Sequence, residues 1–121
     1  MSSRHPLKLQ TLDQLRDLER ERPGLMKELI RLFVTDAPKQ IRLVESAYRE
    51  RDPERLRQSA HFLRSGALAL GLGWLAEQAR MLEHLEFSDY GQPDADALLS
   101  GLRAELHGVL LALLRELQAR G

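Results

Sequence analysis

Apolar residues recur at three- and four-residue steps along most of this chain and β-branched residues are scarce, a pattern that predicts helices and no sheet. A short first helix reads from Thr11, a favourable N-cap residue, through Leu12, Leu15 and Leu18, and ends before Pro23-Gly24. A second helix, expected to be the longest, begins near Pro23 and carries Met26, Ile30, Phe33, Ala37, Ile41, Val44 and Tyr48 on one stripe. Pro38 lies inside it without the amide hydrogen that a helix interior uses. The apolar period continues past it in phase, which predicts one bent helix rather than two. Asp52-Pro53 then supplies an N-cap and a first-turn proline for a third helix. Its stripe is Leu56, Ala60, Leu63, Ala67 and Leu70, and Gly71 and Gly73 mark its end. A fourth helix follows at once through Leu75, Ala79 and Leu82, with Leu85 or Glu86 as a possible extension, and the polar segment from Ser88 to Pro93 closes it. The last helix runs from about Asp94 to about Ala119 through Leu98, Leu102, Leu106, Val109, Leu113 and Leu117.

Amphipathic helices of this length gain most of their stability by burying one face against neighbours, and short connections make consecutive neighbours antiparallel. The expected fold is therefore all-α: an antiparallel up-down-up-down four-helix bundle, with the short Thr11 helix laid across one end. Residues 1–10 read as a disordered N-terminus and residues 11–121 as one helical domain.

Composition narrows the functional classes. A chain of 121 residues suits a single core. Its 18 basic and 18 acidic side chains cancel, so nothing in the balance points to nucleic acid or an anionic membrane, and proteins are the expected partners. The absence of cysteine removes disulfides, thiol catalysis and Cys-based zinc sites and fits a reducing, cytoplasmic setting. Contiguous apolar runs such as Val109 to Leu114 fall far short of the roughly 20 residues that span a bilayer, and the start lacks the apolar core of an export signal. No membrane insertion is expected. A phosphate loop of the GxxxxGK[ST] or GxGxxG type, an HExxH pair and a Ser-His-Asp pattern are all missing, so neither ATP use nor hydrolysis is indicated.

His61 carries the chemistry. It projects roughly 140° from the centre of its helix's apolar stripe, with Arg57 and Ser65 one turn away and Gln58 and Arg64 at three-residue spacing. An outward imidazole beside fixed positive charge is suited to accepting a phosphoryl group, although a surface histidine on a charged helix is commonly just solvated. His84 and His107 are candidate metal ligands by residue type but lack the Glu-x-x-His arrangement of di-metal bundles, so no metal site is expected.

Residues 60–71, AHFLRSGALALG, resemble the signature of histidine-containing phosphotransfer (HPt) domains, in which Ala-His-x-Leu-Lys is followed by small residues and a glycine. The likeness extends to Glu28 through Pro38, with its Asp-Ala-Pro, to Arg51-Asp52 at the usual Gly-Asp-like turn, and to Leu75, Leu82 and Glu83 downstream. Arg64 stands where lysine is usual, Ser65 where glycine is common and Ala69 where asparagine is frequent. The resemblance implies a four-helix bundle and a phosphotransfer intermediate without kinase activity, accepting and donating a phosphoryl group at His61. It implies receiver domains of response regulators or hybrid histidine kinases as partners. It also implies no cofactor in this chain, with Mg²⁺ supplied by the receiver; the single reactive histidine suggests that a monomer can work.

The residues around His61 then take expected roles. Arg64 steers phosphate, although as a planar fork it differs from lysine's mobile point charge. Ser65 and Leu68 are expected to dock a receiver, and Gln58 and Arg57 to give weaker support, against the plainer reading of an ordinary solvated surface. Phe62 is expected to pack on a neighbouring helix. Gly66, which costs about 1 kcal/mol of helix propensity, implies close approach either by a partner or by a neighbouring helix. The alternative function is an HPt-like adaptor or scaffold that binds receiver or kinase domains without being phosphorylated.

Overall fold

Local backbone and capping chemistry sets several of the helix ends. In the computed structural model, which describes residue 17 and residues 19–120, the elements are α1 (Leu25–Arg49), α2 (Pro53–Ala69), α3 (Gly73–Glu83), a 3₁₀ turn (Phe87–Asp89) and α4 (Pro93–Arg120). Of the expected Thr11 helix, residues 17 and 19–21 are described and are helical, whereas its earlier part and the N-terminal segment 1–10 lie outside the described residues. Among the described residues there is no strand.

α1 starts just after Pro23 because Gly24 adopts a left-handed φ of 90°. The Glu19 carboxylate accepts hydrogen bonds from the Gly24 and Met26 amides at 2.7 and 2.9 Å, satisfying donors that a helix start leaves open. The helix runs unbroken through Pro38. It ends when Arg51, at φ 55°, takes the left-handed position, and the Asp52 amide reaches back to the Ala47 carbonyl at 2.9 Å.

α2 begins as its sequence dictates: the Asp52 side chain accepts from the Arg55 amide at 3.2 Å, and Pro53 occupies the first turn. It closes on Gly71 at φ 72°, where the Leu72 amide bonds the Ala67 carbonyl at 2.8 Å and the Gly71 amide the Leu68 carbonyl at 3.0 Å. These are the paired bonds of a Schellman motif, and they turn the chain directly into α3.

The helices pack as a closed ring, α1 on α2, α2 on α3, α3 on α4 and α4 back on α1. Nearly every stripe residue is in the core. Met26, Ile30, Phe33, Ala37, Val44 and Tyr48 of α1 are buried, as are Leu56, Ala60, Leu63 and Ala67 of α2. So are Leu75, Ala79 and Leu82 of α3 and Leu102, Leu106, Val109 and Leu113 of α4. Ile41, Leu98 and Leu117 pack against this core from half-buried positions.

Two expectations need correcting. The longest element is α4, at 28 residues, rather than α1, at 25, because α4 begins directly at Pro93 and continues almost to the chain end. The segment Pro93–Ala119 is also long and apolar enough to cross a membrane by length and composition. Counting contiguous apolar runs missed this, since isolated polar residues interrupt the runs without much lowering the average. In the bundle this helix supplies the fourth wall of the core through Leu102, Leu106, Val109 and Leu113, while Leu111 and Leu114 on it stay exposed.

Candidate functional site

His61 sits midway along α2 on the face turned from the core, and its side chain is 58% exposed. Ala60 on one side and Leu63 on the other are fully buried, which fixes the rotation of the helix and leaves the imidazole no inward option. The ring has company from across the bundle. Its Nδ1 lies 3.2 Å from Oε1 of Glu83, the last residue of α3, and 3.0 Å from Nη2 of Arg64. Arg64 Nε in turn lies 2.6 Å from Glu83 Oε2, an ion-pair contact rather than an aligned hydrogen bond. Glu83 is the interior member, with a side chain only 8% exposed. A carboxylate so enclosed requires charged or hydrogen-bonding partners, and here it has both.

This arrangement holds the imidazole by one nitrogen and leaves the other outward. With a proton on Nδ1 donated to Glu83, Nε2 carries the lone pair and can act as a nucleophile toward an electrophile arriving from solvent. Glu83 has the geometry of a positioning residue. In the sequence Glu83 stands out only as part of the resembling downstream helix, not as a neighbour of His61. A signal was present: His61 and Glu83 lie equally far from Leu72, and residues equidistant from the turn of an antiparallel helical hairpin come abreast.

Among the expected site residues, the structure brings Arg64 to His61 and to Glu83. Ser65 and Leu68 are exposed on the same side of α2, where a partner meeting His61 would meet them. Arg57 and Gln58, one turn before His61 on α2, both donate to Glu54, at 2.9 and 3.4 Å. His84 donates from Nδ1 to the Arg80 carbonyl at 2.8 Å and so finishes α3, while His107 is exposed on α4.

Phe62 corrects an expectation. It is 55% exposed at the rim of an apolar groove of about 170 Å³ between α1 and α2, lined also by Leu29, Leu32 and Phe33. The seam between the two helices is already filled by Phe33 lying over Gly66, which leaves Phe62 outside.

Comparison with known proteins bears on the family and the fold. The family model described as the Hpt domain matches residues 28–119. Among solved structures, the chain is similar to histidine-containing phosphotransfer protein B from Pseudomonas aeruginosa PAO1, with 24% sequence identity, a TM-score of 0.78 and coverage of 98% of each chain. No curated protein matches.

Proposed function

The chain belongs to the histidine-containing phosphotransfer family, whose model covers residues 28–119, and from that membership we propose that it carries phosphoryl groups on His61 between receiver domains. The observation that supports this reading most is the outward imidazole of His61 with Nδ1 set against the enclosed carboxylate of Glu83.

The neutral ring attacks through the Nε2 lone pair. A bond forms between Nε2 and phosphorus, the bond from phosphorus to the receiver's aspartyl oxygen breaks, and that carboxylate leaves with the electron pair. Nδ1 keeps its proton, so the phosphorylated ring gains a formal positive charge, and Glu83 is the carboxylate facing it. Arg64 adds a planar donor within reach of the incoming phosphoryl oxygens. Transfer of this kind needs alignment and charge neutralisation more than covalent assistance. In this reading the Mg²⁺ comes with the receiver, and this chain acts in the cytoplasm as a carrier without kinase activity. Ser65 and Leu68 form the part of the docking surface nearest the ring.

The test is to incubate the protein with phosphorylated receiver domains and measure acid-labile, base-stable label. The parent takes label and His61→Gln does not. Equal label on both refutes His61 as the carrier residue, and no label on either leaves the adaptor reading for this fold.

A further inference from the structure

Nδ1 of His61 touches two groups that demand opposite states of one atom. A guanidinium only donates, so the contact from Arg64 Nη2 at 3.0 Å needs a lone pair on Nδ1 and places the proton of a neutral ring on Nε2. A carboxylate only accepts, so the Glu83 contact at 3.2 Å needs the proton on Nδ1 and frees Nε2. The two arrangements are mutually exclusive for a neutral imidazole, and only the second leaves the outward nitrogen nucleophilic.

We propose that Arg64 is a tautomer lock on His61: at rest its guanidinium donates to Nδ1 and keeps the proton on Nε2, and an arriving phosphoryl group releases the ring by drawing that guanidinium onto its own oxygens. This rests on His61 being the phosphoacceptor.

Glu83 holds the lock in place. Its Oε2 pairs with Arg64 Nε at 2.6 Å, which seats the guanidinium against the ring and at the same time meets the carboxylate's charge, weakening its demand for the Nδ1 proton. Arg64 is partly sheltered, its side chain 28% exposed, whereas the ring is open to water. Release therefore proceeds through solvent: Nε2 gives its proton to water, Nδ1 takes one from water and donates it to Glu83 Oε1, and the ring stays neutral. Arginine is suited to this because its rigid fork sets its charge against the carboxylate at Nε and aims Nη2 at the imidazole at once. Lysine has one compact ammonium on a flexible stem and cannot serve both atoms in that geometry.

The ring nitrogens report the tautomer directly in two-bond ¹H–¹⁵N spectra, with the His61 signals identified by their loss in His61→Gln. Spectra are taken at a pH where the two ring nitrogens themselves show the ring to be neutral. The parent is expected to show mainly the Nε2–H form. Arg64→Lys, which keeps the charge and the fold, and Arg64→Ala are expected to move the ratio toward Nδ1–H by roughly tenfold, the scale of one charge-assisted hydrogen bond. Arg64→Lys should also take phosphoryl groups from phosphoramidate several-fold faster than the parent. A parent already in the Nδ1–H form, an unchanged ratio in Arg64→Lys, or equal uptake rates despite a changed ratio each overturn the lock. If His61→Gln labels as well as the parent, the carrier reading falls instead, and the tautomer measurement still decides what Arg64 does to the ring.

Discussion

Gly66 provides a quantitative test of how α1 and α2 meet. A Cβ built there would stand 3.2 Å from Cδ1 and 3.4 Å from Cε1 of Phe33, whereas carbon atoms in ordinary contact sit about 3.5–4.0 Å apart. At a helix position free of neighbours, Gly→Ala gains about 1 kcal/mol in propensity. Here the methyl group must push the Phe33 ring by a few tenths of an ångström, and that ring is 6% exposed within a packed core. Overpacking of this kind costs about 1–3 kcal/mol, which cancels or outweighs the propensity gain. Gly66→Ala is therefore expected to leave stability unchanged or lower it by up to about 2 kcal/mol, and Gly66→Val to cost about 2–3 kcal/mol, since a branched carbon adds bulk and stiffens the helix position. In a Phe33→Leu background the obstructing ring atoms are gone, and Gly66→Ala should recover its propensity gain, a coupling of about 1–3 kcal/mol between the two sites. Urea denaturation followed by far-ultraviolet circular dichroism measures each value from the midpoint at constant slope. Stabilisation by about 1 kcal/mol for Gly66→Ala in the parent would show that the glycine does not serve this helix contact. Label uptake by the same variants separates the two sources of close approach that the sequence left open: a helix contact predicts transfer at the parent rate, a partner contact predicts lost transfer at intact stability.

Arg51 closes α1 at φ 55°, a position glycine occupies without a Cβ penalty, so Arg51→Gly should raise stability by about 0.5–1 kcal/mol in the same denaturation assay. Asp52→Ala removes the side-chain acceptor for the Arg55 amide at the start of α2 and should cost about 1 kcal/mol, measured as a lowered melting temperature. Tyr48 donates to Asp96 at 2.6 Å and accepts from the Gly91 amide at 2.8 Å, so Tyr48→Phe should cost about 1–3 kcal/mol at neutral pH. Burial first, then the bond to Asp96, raises the Tyr48 phenol above its ordinary value of 10.0, and burial raises Tyr90 likewise. The native state thus favours the protonated phenols. Their contribution is complete below pH ~10 and is lost as pH rises through the native-state values, so Tyr48→Phe should shallow the alkaline fall in stability without abolishing it, because Tyr90 remains. An alkaline slope identical to that of the parent would refute the linkage.

Much of the fold was legible because its causes are local. The stripe Leu56, Ala60, Leu63, Ala67 and Leu70 needs only the helical period, and all five residues are buried. Asp52-Pro53 and Gly71 act within a few residues of themselves, and both ends of α2 fall where they dictate. The outward direction of His61 follows from the same period. Capping of α1 was not legible, because its acceptor, Glu19, approaches across the Pro23-Gly24 turn from an earlier segment. Nor was the exposure of Phe62, which depends on Phe33 of another helix filling the seam first.

By itself the sequence determined that this chain forms amphipathic helices, where α2 starts and stops, and that His61 faces away from the core with Arg64 one turn on. Each of these depends on spacings of three or four residues and on backbone groups that satisfy themselves nearby. Only the tertiary structure decided what surrounds the ring. The Leu70 to Leu72 turn and the packing of α2 on α3 set which residue of one helix comes abreast of which residue of the other, and they bring the enclosed carboxylate of Glu83 to Nδ1 and to the Arg64 guanidinium. Charge and period made Arg64 a cation beside His61. The register between two helices gave that cation a carboxylate to hold it.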